Sequence, residues 1–410
     1  MRILYVCQRY GQQIVGGSEA ACRAFAEQLV GRGHEVSVLT STAHQYTTWR
    51  NEYPAGESIV NDVTVHRLPV RAERTPEIFG PMHSWMVYGP KPTPTFQQRR
   101  WADLTGPQLD GIEGWIQTNA PRFDVVIFMT YMYTTTTRGL TAAAGRVPTI
   151  LQPTAHDEPS IWIPLFETLL RMPDAFLFFT AEERAIVERR LRRETTGSVL
   201  GIGIDAHQVA DPQPFRSAHG VGVSPYLLYV GRVDSGKGTV EAANFFAEYK
   251  RRNGGDLKLV VAGELIGAMP QHPDIVYTGF LDEGMKRSAM AGSIALLQPS
   301  YFESFSIVLC ESWMQGRPAL VQGRCAVLAG QVRRANGGLP YAGYAAFEAS
   351  VDYLRGNPDV ADAMGESGRD FVKQRYGWSE VLDGVESLID VAQQRFDGRR
   401  NKFGAASPGR

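Results

Sequence analysis

Glu303 and Glu311 flank a stretch that reads as the beginning of a helix, Pro299-Ser-Tyr-Phe-Glu-Ser-Phe-Ser-Ile-Val-Leu-Cys-Glu-Ser-Trp-Met-Gln-Gly-Arg-Pro318. The apolar run Ile294 to Leu297 reads as a buried strand that breaks at Pro299. The chain then restarts as a helix near Ser306, which Gly316 and Pro318 stop. Glu303 falls in the loop ahead of that helix, and Glu311 about 8 Å along its axis. Between them come Ser304 and the amides of Phe305, Ser306 and Ile307, at a helix N-terminus that favours anions. The order is acceptor, anion cradle, acceptor, which matches a ligand with sugar hydroxyls, a diphosphate and a ribose diol. A solvated helix face is the plainer alternative, because two glutamates at this spacing are common by chance.

Three other places carry chemistry-bearing residues. After the apolar run Tyr226 to Val230 comes Gly231-Arg-Val-Asp-Ser-Gly-Lys-Gly238, close to a phosphate-binding P-loop. That loop needs Ser or Thr directly after its lysine to hold magnesium, and here the position is Gly238. What remains is a turn presenting Arg232 and Lys237, a planar fork and a point charge, both suited to a diphosphate. Gly16-Gly17, ahead of the first helix, lets backbone amides approach an anion or is simply a tight strand-to-helix turn. His156 lies just past a parallel strand's carboxyl end, with Asp157 and Glu158 beside it to set its tautomer.

These residues need a scaffold, and 410 residues are too many for one ordinary core; two domains of about 150 to 200 residues are expected. The net charge of -1 gives no global field for nucleic acid. Four cysteines, Cys7, Cys22, Cys310 and Cys325, lack metal-ligand spacing and read as reduced, buried thiols. Arg2 to Cys7 reads as a first strand rather than a signal peptide, and no apolar run approaches the roughly 20 residues of a membrane span. The expectation is a cytoplasmic protein, with room for peripheral contact at the inner face of a membrane.

Strand, glycine loop, helix and strand follow one another from Ile3 to Leu39, the pattern of a doubly wound parallel sheet. Ser41 to Pro94 reads as a loop region with one hairpin strand at Val63 to Leu68, and helical periodicity runs from Thr95 to Asn119. Gly201-Ile-Gly-Ile-Asp-Ala206 superficially matches a dinucleotide fingerprint, but Pro212 and Pro214 follow too soon for its helix. The boundaries expected are an N-terminal acceptor-binding domain 1–205, a linker 206–224 and a C-terminal donor-binding domain 225–375. A returning helix 376–398 and a disordered tail 399–410 complete the chain.

Taken in order, Gly16-Gly17, Gly33-His-Glu-Val36, His156, Gly231 to Gly238, Ala262-Gly-Glu264, Tyr277-Thr-Gly-Phe280, the paired glutamates and Gly316-Arg-Pro318 resemble the retaining family 4, group 1 glycosyltransferases of the GT-B fold. The resemblance implies an α/β fold of two Rossmann-like domains facing across a cleft, with C-terminal helices crossing back to the first. It places Arg232 and Lys237 on the donor diphosphate, Glu311 on the ribose and Glu303 on hydroxyls of the transferred sugar. His156 would lie near that sugar's reacting face, and Gly16 and Gly17 over the phosphates. It implies a hexose-type donor carried by UDP or GDP, a glycan, glycolipid or small-molecule acceptor, and neither cofactor nor metal. Chemistry would be front-face substitution with retention, in a setting such as cell-surface polysaccharide synthesis.

Relatives often carry glycine where this chain has Ser304 and Ser306, so a hydroxyl substitutes there, and Ser41 to Arg100 has no general family pattern. A P-loop nucleotide hydrolase or switch, a GT-B isomerase or phosphorylase, and a non-catalytic sugar binder stay open as rivals on the residues alone.

Overall fold

Short apolar runs build two mainly parallel sheets, one in each of two units of the chain: Met1–Ile202 with Trp378–Arg410, and Gly203–Gly377. The structure, a computed structural model, describes residues 1–404 apart from Val15.

The first unit holds β1 (Arg2–Val6), β2 (Glu35–Ser41), β3 (Gly56–Val60), β4 (Val63–Leu68), β5 (Val125–Met129), β6 (Thr149–Gln152), β7 (Ala175–Phe178) and β8 (Gly197–Val199). Their order is β3-β4-β2-β1-β5-β6-β7-β8, parallel throughout except for the β3–β4 hairpin. Ile3 to Val6 and Val125 to Met129 are fully buried, as expected of central strands covered on both faces, where apolar residues run on rather than alternate. Gly33, left-handed at φ 86°, turns the first helix Gly17–Gly31 into β2.

The segment read as a loop region contains the β3–β4 hairpin and a helix at Pro76–Tyr88. The single helix expected from Thr95 to Asn119 is two, Thr95–Thr105 and Ile112–Asn119. Gly106, left-handed at φ 70°, ends the first, and Pro107 has no N–H with which to continue it. Trp49 and Trp101 are buried, whereas Trp85 and Tyr88 are exposed.

The helix Trp378–Gly404 belongs to this unit. Trp378 packs edge-on to Phe25 at 5.6 Å, and Gly384 lets Leu200 approach so closely that an added Cβ would lie 2.5 Å from it. Arg32 bonds Asp383, and His34 Nε2 lies 2.9 Å from Glu386 Oε1. Residues 399–404, expected in a disordered tail, continue this helix, with Arg399 on the buried carboxylate of Asp174. The rest of that expected tail, 405–410, lies outside the described residues.

The second unit holds β9 (Tyr226–Val230), β10 (Lys258–Ala262), β11 (Ile275–Gly279), β12 (Ala295–Gln298), β13 (Ala319–Gln322) and β14 (Gly338–Tyr341), ordered β11-β10-β9-β12-β13-β14 and parallel. The stretch read as a linker is part of this unit. Pro212 opens a helix at Gln213–Ala218, whose Phe215 is fully buried among Val221, Tyr226 and Leu228. Proline there starts structure rather than interrupting it. Among the described residues no helix is long and apolar enough to cross a membrane.

Candidate active site

In doubly wound sheets a crevice opens at the carboxyl ends of the two adjacent strands where chain order reverses. In the second unit those strands are β9 and β12, and in the first they are β1 and β5. The loops after β9 and β12 contain Arg232, Lys237 and the stretch Glu303 to Ser306, with Ile307 opening the helix that follows.

The loop after β9 is organised by Asp234. One of its oxygens accepts from Arg232 Nε, the other accepts the Lys237 N–H at 3.0 Å, and its carbonyl accepts the Thr239 hydroxyl at 2.7 Å. The Val233 N–H donates to the Glu264 carbonyl at 2.9 Å, which ties the loop to the one after β10. Close backbone approach explains two glycines. A Cβ at Gly263 would lie 1.9 Å from the Gly231 oxygen, and a Cβ at Gly238 would lie 2.3 Å from the Pro299 oxygen. The second contact joins the two loops directly, and beside it Lys237 Nζ bonds Glu303 Oε1 at 2.8 Å.

The helix Ile307–Met314 begins at Ser306, which is left-handed at φ 76° and so strained for a residue with a side chain. Two buried amides hold this turn: Gln298 Nε2 donates to the Ser306 hydroxyl at 3.1 Å, and Gln331 Nε2 donates to the Phe305 carbonyl. Phe305 packs edge-on to Tyr376 at 4.9 Å. Beneath the helix, Gly365 and Gly368 admit the backbone of Gly316 and the ring of Trp313. Glu311 accepts from Lys286 Nζ at 2.9 Å, and its second oxygen is buried with no hydrogen-bond partner.

The structure thus brings Arg232, Lys237, Glu303, Ser304, Phe305, Ser306, Ile307 and Glu311 to one edge of one sheet, while Gly16, Gly17 and His156 belong to the other unit. Gly16 is extended, and its need for glycine comes from a neighbour: a Cβ there would lie 2.4 Å from Glu19 Oε2. That carboxylate forms a buried pair with Arg9 at 2.6 Å and accepts the Ser18 hydroxyl at 2.8 Å. A ligand anion at Gly16-Gly17 would therefore have to share the first turn with a resident carboxylate.

His156 follows β6, with Nδ1 3.8 Å from Glu158 Oε1, while Asp157 turns to Arg189 and Trp162. Its loop is anchored by Glu183, whose carboxylate accepts the Ala155 and Phe179 N–H groups at 2.7 Å each. Burial pushes the Glu183 carboxyl up to about 8, against the pull of those donors.

Residues 215–371 match the family described as Glycosyl transferases group 1, and residues 16–202 match the Glycosyl transferase 4-like domain. The chain belongs to the group 1, family 4-like glycosyltransferases. Its fold is GT-B. The Anabaena HepE structure, solved with UDP and glucose, is 13% identical and superposes at a TM-score of 0.65 over 95% of this chain and 99% of that one. An E. coli structure described as trehalose-6-phosphate bound with UDP-2-fluoro glucose is 12% identical at TM-score 0.67, over 96% and 99%. Over 123 residues the chain is 31% identical to the alpha-D-kanosaminyltransferase of Streptomyces kanamyceticus, a match covering 28% of this chain and 32% of that relative. The chain therefore matches about a third of that curated relative's length.

Sequence reasoning on this glycosyltransferase overlooked Asp234, Lys286, Gln298 and Gln331. Asp234 lies inside the motif that supplied Arg232 and Lys237, and an acid flanked by two cations was a usable signal. The other three act across the sheet edge, at separations that carry no pattern.

Proposed function

We propose that the chain transfers a hexose-type sugar from a nucleotide-diphosphate donor to a glycan, glycolipid or small-molecule acceptor, with retention and without a metal ion. The observation that carries this reading is the convergence of Arg232, Lys237 and Glu303 with the Ile307–Met314 N-terminus at the β9–β12 crevice. Family membership and the UDP and glucose held by HepE point the same way.

In this reading Arg232 and Lys237 stabilise the charge growing on the departing diphosphate, together with the helix amides, before any ion is invoked. The anomeric carbon's bond to the diphosphate breaks as the acceptor oxygen bonds the same face, and the acceptor's proton passes to the departing phosphate oxygen. Lys237 pairs with Glu303 at 2.8 Å, which sets the cation that meets the diphosphate beside the carboxylate assigned to the sugar's hydroxyls. Glu311 takes the ribose. His156 is assigned to the catalytic chemistry, and the first unit to which it belongs is the one that binds the acceptor in this reading, lipid-linked acceptors being met at the inner face of a membrane. The P-loop alternative loses ground because Gly238 follows the lysine and the Thr239 hydroxyl already donates to Asp234.

The test is a panel of UDP-, GDP- and ADP-sugars read by nucleoside diphosphate release, with and without acceptor extracts and EDTA. One donor should turn over in an acceptor-dependent way that EDTA leaves intact. Release of inorganic phosphate from ATP in place of diphosphate from a sugar nucleotide would overturn the reading, and loss of turnover in EDTA would remove its metal-independent part.

A further inference from the structure

Arg74, half-buried between β4 and the helix Pro76–Tyr88, is a cation with which no carboxylate among the described residues pairs. Its N–H is fixed by the Thr48 carbonyl at 2.7 Å. Its guanidinium carbon stands 4.3 Å from the centre of the Phe79 ring and 5.2 Å from that of Trp49. Rings packed on a guanidinium leave its edge for ligands. On that edge Nη2 donates to the Thr105 carbonyl and Nε is buried without a partner, whereas Nη1 has no hydrogen-bond partner and is not sealed from solvent.

The acids around it are engaged elsewhere: Glu73 with Arg50, Glu19 with Arg9, and Glu158 with the Tyr131 hydroxyl and His156. The groups that act on the Arg74 charge are the phenols of Tyr133 and Tyr46. Burial pulls its pKa below the ordinary arginine value, although a guanidinium stays charged at neutral pH. Buried charges are normally paired, so an unbalanced one is a cost that a bound anion removes.

Tyr133 precedes the helix Thr134–Ala143 and stands on the same support. Its ring meets Trp49 edge-on at 5.5 Å, and the Trp49 Nε1–H donates at 2.9 Å to the Thr105 carbonyl that also holds Arg74. The Thr134 N–H donates to the Gly106 carbonyl at 3.0 Å, which ties the tyrosine's turn to that support. The Tyr133 hydroxyl has no hydrogen-bond partner and is not sealed from solvent. Burial pushes its pKa up to about 12, so at neutral pH it is an uncharged donor.

We infer that Arg74 Nη1 and the Tyr133 hydroxyl form an oxyanion subsite, and that the acceptor is a sugar carrying a carboxylate or a phosphate ester. This deepens the proposed function and rests on its assignment of the acceptor to the first unit. A single unbalanced positive charge matches a monoanion, which places a sugar carboxylate ahead of a phosphomonoester.

The experiment is calorimetric titration of glucuronate, glucose 6-phosphate and glucose into the full-length wild type, Arg74→Met, Arg74→Lys and Tyr133→Phe, with UDP, GDP and ADP titrated into the same proteins. The wild type should bind one anionic sugar about tenfold or more tightly than glucose. Glucuronate in front marks a carboxylate acceptor, and glucose 6-phosphate in front a phosphorylated one. Arg74→Met should reduce the preference to about threefold or less while glucose and nucleotide affinities stay as they were. Arg74→Lys should keep part of the preference, because the charge remains, and Tyr133→Phe should lower it by about threefold.

A wild type that does not prefer either anion, an undiminished preference in Arg74→Met, or an equal loss of anion and glucose affinity in that variant would overturn the inference, and intact nucleotide binding would leave the donor reading in place. Failure of all three nucleotides to bind beside a clear anion preference would bring down the donor reading and leave the subsite standing. If Arg74→Met does not fold, Arg74→Gln is measured the same way, and a full preference there would overturn the subsite.

Discussion

At the β9–β12 crevice of the second unit, the cations stand in partial contact with solvent: Arg232 is 38% exposed and Lys237 33%. At the β1–β5 crevice of the first, Arg9 and Glu19 are each 6% exposed and bonded to one another. Both crevices lie where strand order reverses and both hold cation–carboxylate pairs, but the pairs differ in their exposure to solvent. A half-solvated cation costs little to maintain and can be drawn to a ligand, whereas a sealed pair is held by its own surroundings and breaks only at a large cost. Substitutions in the first crevice should therefore be felt as stability, and those in the second as catalysis.

The largest expected effect tests the sealed side. Glu19→Ala removes the carboxylate that balances the buried Arg9 charge, leaving the His44 carbonyl among its contacts, and should destabilise the protein by about 3 to 5 kcal/mol, measured by urea unfolding. Trp101→Ala, which empties a fully buried site, belongs in the same range, about 3 to 5 kcal/mol. Retained stability in both would erase the contrast.

On the open side, Lys237→Ala and Arg232→Ala should each slow transfer by roughly 10- to 100-fold, the loss of a charge-assisted contact, while the melting temperature stays nearly unchanged. A melting loss as large as that of Glu19→Ala would show that the second crevice is structural as well.

A pH series refines the first unit further. The Glu183 carboxyl titrates at about 8 in the folded chain, against about 4.3 unfolded, so the folded state keeps a proton that the unfolded state has lost. Stability from this group is full below the unfolded value and declines as pH rises toward 8. Unfolding free energies at pH 5.5 and 8.5 should fall more with rising pH for the wild type than for Glu183→Gln; parallel slopes would remove Glu183 as a pH-sensitive anchor of the His156 loop.

A small effect is expected of Trp85→Ala, a residue 36% exposed: about 1 kcal/mol or less of stability, with the acceptor KM raised. An unchanged acceptor KM would send the search for acceptor contacts away from the helix Pro76–Tyr88.

How much of this could be read beforehand follows from the same contrast. Central strands such as β1, β5, β9 and β10 are continuous apolar runs, and these were legible. β14 contains Gly338 and Pro340 and β3 is an exposed edge, so neither carries a buried-strand signature; β13 is buried throughout, but it follows directly on Gly316-Arg-Pro318, which reads as the stop of a helix. Among site residues, cations and acids at fixed spacing announced the second crevice. The supports did not, because the roles of Gln298, Gln331 and Lys286 arise only when β12, its loop and two neighbouring helices meet. The aromatics of 47–101 could not be sorted by composition into anchors and exposed rings, since Trp49, Trp85 and Trp101 look alike until the helices are placed.

The return of Trp378–Gly404 to the first unit bears on synthesis. Residues 1–202 leave the ribosome first, yet the surface around Phe25, Arg32 and Leu200 has no cover until the last helix emerges. At about 5 to 20 residues per second, translating the whole second unit delays that cover by roughly ten seconds or more. Residues 1–202 are therefore made before the second unit and sealed after it, and during that interval their uncovered flank is open to chaperones and to unwanted association.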